Sequence, residues 1–356
     1  MARYLTQGLG LALALSLLLS CGHEEPTSSD SIQLDSDQTK LAIEQIAAFA
    51  QRQNSNALIV SEQLLTSVRA FLASPNEESL DSLKAIWQTA HESHLAGQLG
   101  LFNDSETNAR LVFSLDAWPL HPGFLDSLPA YPEGGIINDI TINVDSETLR
   151  RQHGITDPAE VCLGFHALEY LIFDRPLTDF VTPDTRDLVA QSINRRRLLL
   201  ETVTVELTQD LAQMAEFVNV QFQPREGQSA EQQLFLFLSS TRGYMQKAFR
   251  ESSVLFDEGM GHSAFSNTST ESLRTELLAL QQFTLSEVTL RPILRALDPA
   301  TTDNFEATLA DVLVMLGRSE ANEPEKAKLP LMLSVLLHRL EEFEITLKQY
   351  LQDQSS

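Results

Sequence analysis

The spacing of apolar residues is the feature that most restricts what this chain can fold into. From Thr39 onward, apolar residues recur three and four positions apart, as at Leu80, Leu83 and Trp87. This spacing places one apolar stripe along each helix, whereas a half-buried strand needs an alternation that the sequence does not show convincingly. The pattern therefore predicts an all-α fold of two helical bundles packed side by side, with a cleft between them.

The chain of 356 residues begins with a segment that is typical of a targeting signal. The run from Gly8 to Leu19 is apolar except for Ser16 and is too short to span a membrane, which predicts a signal peptide. Cys21 follows Leu18-Leu19-Ser20 in a pattern that resembles a bacterial lipobox, so Cys21 is the predicted site of lipidation. The predicted segments are the lipoprotein signal peptide 1–20, a flexible tether 21–37, a first bundle 38–176 and a second bundle 177–356.

The charge balance restricts the partners. Asp and Glu number 49 against 25 Lys and Arg, a formal net charge of −24, so nucleic acid is excluded as an expected partner. Such acidity suits cations or simple solubility. Apart from Cys21 the only cysteine is Cys162, which predicts a small core residue and no internal disulfide. Gly22 rather than an acidic residue follows Cys21, which in a Gram-negative host favours the outer membrane, so the predicted location is lipid-tethered on the periplasmic face of the outer membrane.

The stretch from Asp157 to Phe173 is predicted to form one apolar helix, with Asp157 as its N-cap. His166 and Glu169 are three residues apart and therefore share one face of that helix. An imidazole and a carboxylate on an apolar face are costly unless they pair or bind something. The pair is thus either a metal site or a buried hydrogen bond that orders the helix.

Further candidates lie on an earlier helix and in two loops. His91, His94 and Gln98 share a helix face, which fits either metal chelation or a solvated surface. A proline-rich stretch between residues 103 and 156 is predicted to be a long packed loop. Thr268 and Glu271 predict a capping box for a later helix. The loop candidates for binding are Trp118, Asp126, Ser263, Phe265 and Ser266.

Three stretches resemble motifs of the imelysin family of bacterial envelope proteins. They are Gly164-Phe165-His166-Ala167-Leu168-Glu169, similar to G-x-H-x-x-E; Ala117-Trp118-Pro119-Leu120-His121 with Leu125-Asp126; and His262-Ser263-Ala264-Phe265-Ser266-Asn267-Thr268. The resemblance implies two α-helical bundles with the motif helix lining the cleft between them. It also implies membership among proteins described as metallopeptidases, as iron-regulated proteins and as parts of iron-uptake systems.

The helix chemistry favours binding over proteolysis. A zinc peptidase helix supplies two histidines and a glutamate, but Tyr170 stands where the second histidine of an H-x-x-E-H motif would be. The leading hypothesis is a tethered protein of iron or other metal acquisition, with His166 and Glu169 holding a divalent or ferric ion, iron or zinc, and with iron-uptake components as partners. The alternatives are a metallopeptidase that uses the same pair and a structural module that recognises a partner without metal.

Overall fold

Helices make up the regular structure throughout the described part of the chain. The computed structural model describes residues 32–101, 106–182, 188–223, 227–255, 261–318 and 323–354. The α-helices there are α1 (Ser36–Ala73), α2 (Glu77–Gln98), α3 (Glu106–Asp116), α4 (Pro122–Leu125), α5 (Ser146–Gln152), α6 (Gly164–Glu169), α7 (Leu188–Gln221), α8 (Ala230–Ser252), α9 (Ser269–Thr284), α10 (Arg291–Leu297), α11 (Pro299–Leu316) and α12 (Glu323–Gln354).

The all-α prediction is confirmed. These residues contain no β-strand, and an isolated bridge joins Leu128 to Tyr131. None of the helices in the described ranges is both long enough and apolar enough to cross a membrane. The predicted signal peptide, Cys21 and most of the predicted tether lie outside the described residues.

Side chains at the helix starts explain where two of the long helices begin. The Asp35 side chain accepts hydrogen bonds from the first backbone N–H groups of α1. Asn76 and Ser79 form a reciprocal capping box at the start of α2. Each cap supplies partners for backbone donors that have none inside the helix.

The helices from Leu34 onward form one compact unit. α1 packs along α2 and α7, and α8 packs along α12, while α2 also contacts α9. α7 lies beyond the predicted boundary at residues 176 and 177, yet it packs against α1, α3 and α6. The arrangement is compatible with two bundles, and the boundary itself stays a prediction.

The long loop between α3 and α6 is packed, as the sequence predicted. Ile136 and Ile137 are buried, and the Arg195 guanidinium on α7 donates to the backbone carbonyls of both. Asp126 is also buried and accepts from the Arg196 guanidinium at 2.7 and 3.0 Å. These contacts fasten the loop to α7.

The prediction of one helix from Asp157 to Phe173 is wrong at its start. Asp157 and Glu160 do use their side chains, but they close a turn: Glu160 accepts from the backbone of Thr156 and Asp157. Residues 160–163 then form no regular structure, and the helix begins at Gly164, whose φ is +80°. A π-helical turn, Tyr170–Asp174, continues it. The capping pattern therefore served a turn rather than a helix.

The capping box predicted at Thr268 is also wrong. Thr268 does precede α9, but its side chain makes no cap hydrogen bond. Its hydroxyl instead pairs with the hydroxyl of Ser266 at 2.7 Å. The helix ends at Thr284, and a separate helix, α10, follows it.

Candidate metal centre

Four buried side chains from distant parts of the chain converge at one point. His91 projects from α2, Asp116 is the last residue of α3, His166 lies on α6, and His262 lies in the loop before α9. One potential ligand atom from each lies within 4.8 Å of the other three. All four residues are at most 9% exposed. Three imidazoles and one carboxylate thus share a small, buried volume.

Four of the six distances between donor atoms in this cluster are close to those of a metal ligand shell, and the other two are at most 4.8 Å. Asp116 Oδ1 lies 3.3 Å from His91 Nε2, 3.2 Å from His166 Nε2 and 3.3 Å from His262 Nε2. His166 Nε2 lies 3.1 Å from His262 Nε2. Ligand atoms about 2.0–2.1 Å from a tetrahedral ion are separated from each other by about 3.3–3.4 Å. Imidazole nitrogen suits zinc, copper, iron and nickel, so the donor set fits an ion of this class.

Asp116 presents one oxygen to the cluster because its other oxygen is occupied. Oδ2 accepts hydrogen bonds from Gln98 Nε2 at 2.8 Å and from Lys247 Nζ at 2.7 Å. Burial acts to raise the pKa of this carboxyl, but the charge of Lys247 and the hydrogen bonds from His166 and His262 hold it well below the ordinary value. Asp116 is therefore an anionic, one-oxygen donor.

The protonation of the three imidazoles differs. Burial lowers the pKa of His91 and His262, so both rings are neutral and able to donate a lone pair to a metal. Burial also acts to lower the pKa of His166, but the hydrogen bonds and charges of Asp116 and Glu169 outweigh it and raise the pKa to about 9. Without a metal, His166 is therefore the protonated member of the cluster at neutral pH.

Glu169 stands behind His166 rather than inside the cluster. Its Oε2 lies 2.8 Å from His166 Nδ1, on the opposite side of the ring from the cluster-facing Nε2. Its Oε1 accepts from the backbone N–H of Ser266 at 2.8 Å and from the Ser266 hydroxyl at 2.7 Å. Metal-bound histidines are commonly oriented by a carboxylate in this position. The sequence spacing suggested that His166 and Glu169 are both ligands. In the structure His166 is the potential ligand, and Glu169 orients its ring.

The candidate residues on α2 and the Trp118 side chain lie in or beside the cluster. Of the two alternatives for His91 and His94, the solvated face is wrong, since both side chains are buried. His94 Nε2 lies 2.9 Å from the Gln98 amide nitrogen, one step from Asp116, and burial lowers the pKa of His94 to about 3. Trp118 donates to the Gly261 carbonyl at 3.0 Å and so fastens the chain just before His262.

The loop residues of the predicted site serve as supports. Ser263 is buried and bonds to the hydroxyl of Ser272, and the Phe265 ring packs edge-on against Tyr170. Asp126 lies in the separate ion pair with Arg196 and does not join the cluster. Gly164 brings α6 against α3: a Cβ there would lie 2.4 Å from the carbonyl oxygens of Ser114 and Leu115.

Two members of the cluster were not singled out as ligands from the sequence. Asp116 directly precedes the Ala117-Trp118-Pro119 stretch, and His262 directly precedes Ser263. Both therefore adjoin recognised motifs, which is the signal that could have found them.

A cavity of about 460 Å³ adjoins the cluster. Asp116 and His262 form part of its wall, and Phe113 and Trp118 provide aromatic surface. Lys247 and the exposed Arg250 also line it. Two of the four potential ligands are thus reachable from this cavity.

Comparison with known proteins identifies relatives of the whole fold. The sequence model of the Imelysin family matches residues 50–330. A crystal structure described as an iron-regulated protein A precursor from Parabacteroides distasonis ATCC 8503 superposes with a TM-score of 0.68 at 14% identity, covering 89% of this chain and 97% of that one. An imelysin-like protein from Psychrobacter arcticum 273-4 gives 0.63 at 13% identity, covering 87% and 95%. The comparison with curated proteins returned no match. At these identities the two structures establish a shared fold.

Proposed function

Because this chain belongs to the imelysin family and gathers three imidazoles around one carboxylate oxygen, we propose that it binds a transition-metal ion and acts in metal acquisition. His91, Asp116, His166 and His262 would be the ligands, and Glu169 would orient His166. The ion would supply the positive charge that the buried carboxylates of this region require. The observation that carries the proposal is that Asp116 Oδ1 lies 3.2–3.3 Å from three buried imidazole nitrogens, two of which are 3.1 Å apart.

Iron is the metal we favour for the biological role. One of the structural neighbours is described as an iron-regulated protein, which supports an iron-related function for this chain. The donor set itself also suits zinc, which is the simpler ion to handle in titrations. We expect protein isolated from iron-limited cells to contain about one equivalent of iron by elemental analysis. If it contains zinc instead, zinc rather than iron is the metal that the protein acquires.

The number of ligands supports binding rather than hydrolysis. Catalytic zinc sites use three protein ligands and keep a position open, whereas structural zinc sites are closed by four. Four donors converge here. The metallopeptidase alternative predicts that zinc-loaded protein cleaves peptides and that a chelator abolishes the cleavage. If such cleavage is observed, the protein is an enzyme and the binding proposal is wrong.

Titration of metal-free protein tests the binding proposal. Wild-type protein should bind one Zn²⁺ by calorimetry. His262→Ala should weaken binding by more than about 100-fold, beyond the 10–100-fold typical of residues that only support a ligand. His338→Ala is the matched control, because His338 lies on α12 with a side chain that is 62% exposed. Equal binding by all three proteins would contradict the proposal.

We further propose that lipid on Cys21 holds this binding body at the envelope. The support is the apolar run before Leu18-Leu19-Ser20-Cys21. Labelled palmitate should be incorporated into the wild-type protein and not into Cys21→Ser, and equal labelling of the two would refute the anchor.

A further inference from the structure

Lys247 places a positive charge beside the candidate metal centre. Its ammonium lies 2.7 Å from Asp116 Oδ2, 3.2 Å from Glu276 Oε1, 3.3 Å from Gln98 Oε1 and 3.6 Å from Glu251 Oε1. The three carboxylate residues are at most 9% exposed. The ammonium is therefore surrounded by four oxygen atoms, as a hard metal ion would be.

Asp116 joins the two cation positions. Its Oδ1 faces three imidazole nitrogens and its Oδ2 faces Lys247, so one carboxylate connects a nitrogen-rich position to an oxygen-rich one. Two-metal sites hold their ions about 3.5–4 Å apart, which is close enough for one carboxylate to contact both ions. Lys247 stands where the second ion of such a pair would stand.

Two oxygen atoms of this region retain unused coordinating capacity. Glu251 Oε1 and Glu276 Oε2 are buried and make no hydrogen bond within the described residues. Glu251 Oε1 lies 3.6 Å from Lys247 Nζ and 3.8 Å from His262 Nε2, between the two cation positions. Buried carboxylate oxygens without a donor are costly, and a cation is the ligand that relieves this cost.

We propose that the Lys247 ammonium occupies the second cation position of a centre built for two cations and thereby limits the protein to one transition-metal ion. This rests on the proposed function of the His91–Asp116–His166–His262 cluster. Lys247 is in this account a specificity-determining residue: it supplies the second charge internally and blocks the oxygen-rich position. Removing its side chain should create a site for a hard divalent ion such as Mn²⁺, which prefers carboxylate and amide oxygens.

The test loads each protein with one equivalent of Zn²⁺ and then titrates Mn²⁺, measured by the loss of the free-ion signal in electron paramagnetic resonance. Wild-type protein should bind no Mn²⁺ at this position. Lys247→Ala should bind one equivalent, and the double variant Lys247→Ala/Glu276→Gln should bind it at least 10-fold more weakly. Lys247→Arg is the matched control, because it keeps the charge and should bind none.

Each outcome distinguishes the inference from the function on which it rests. A Lys247→Ala protein that holds Zn²⁺ but takes up no Mn²⁺ overturns the inference and leaves the proposed function intact. Wild-type protein that binds no Zn²⁺ refutes the proposed function itself. If Lys247→Ala is unstable without metal, Mn²⁺ binding is measured from the change in Tm instead. Mn²⁺ should raise the Tm of Lys247→Ala and leave the Tm of Lys247→Arg unchanged.

Discussion

Glu169 shows how one residue can belong to a site without touching the central ion. Its two oxygens join His166 to the Ser266 backbone and hydroxyl, so it links the helix of the motif to the loop that carries His262. Glu169→Gln keeps the size of the side chain but removes the charge that supports the imidazole. We expect metal affinity to fall by about 10–100-fold, less than for loss of a ligand.

Competition with a chromophoric chelator measures this difference. Glu147→Gln is the control, because that side chain is 82% exposed and lies on α5. A loss of affinity as large as that of His262→Ala would show that Glu169 is itself a ligand, as the sequence first suggested.

The pKa of His166 makes the stability of the metal-free protein depend on pH. Its folded-state pKa is about 9, above the ordinary 6.5, so the proton it binds stabilises the fold fully below about pH 6.5. That contribution is lost as the pH rises through 9. Burial also raises the pKa of Glu251, which acts in the same direction.

We therefore expect the Tm of metal-free protein to fall between pH 6.5 and 9. The Zn²⁺-loaded protein should show a smaller fall, because a metal takes the place of the proton on His166. Thermal unfolding at both pH values, with and without metal, measures this. A metal-free Tm that rises over this range would exclude a protonated His166.

At the scale of elements, the start of α6 depends on Gly164. Its φ of +80° is unfavourable for other residues, and a Cβ would overlap the carbonyls at the end of α3, which carries Asp116. Gly164→Ala should destabilise the protein by about 2 kcal/mol or more. Gly243→Ala is the control, since nothing lies within 4 Å of a Cβ there and alanine favours helix.

Chemical unfolding of the two glycine variants gives their free energies. Gly243→Ala should be neutral or stabilising by up to about 1 kcal/mol. A Gly164→Ala protein as stable as the wild type would mean that α3 and α6 can separate without cost, which would remove the reason for a glycine before the His166 motif.

The same region shows why this element was only partly predictable. Apolar spacing identified a helix around His166, but the Asp157 capping signal was local and served a turn. The irregular segment from residue 161 to 163 is held by contacts outside itself: the backbone N–H groups of Cys162 and Leu163 donate to His153 Nδ1. Such tertiary contacts leave no short-range pattern in the sequence.

At the scale of the molecule, the potential ligands of the candidate centre are spread along the chain from His91 to His262. This separation limits how much of the centre could be predicted from the sequence. The helical class follows from local spacing, and His166 follows from the cost of a polar pair on an apolar face. Neither Asp116 nor His262 forms a pair with ligand-like spacing in its own segment. They meet only because α2, α3, α6 and the loop before α9 pack together. Lys247 is one of six lysines in the sequence, and nothing beside it in the chain distinguishes it until the fold places it next to Asp116.

X-ray absorption spectroscopy of the Zn²⁺-loaded protein tests the central claim most directly. The account predicts a shell of three nitrogens and one oxygen at about 2.0–2.1 Å, with imidazole scattering that decreases in His262→Ala. An oxygen-only shell, or a spectrum that His262→Ala leaves unchanged, would show that the ion binds elsewhere and contradict the proposed centre.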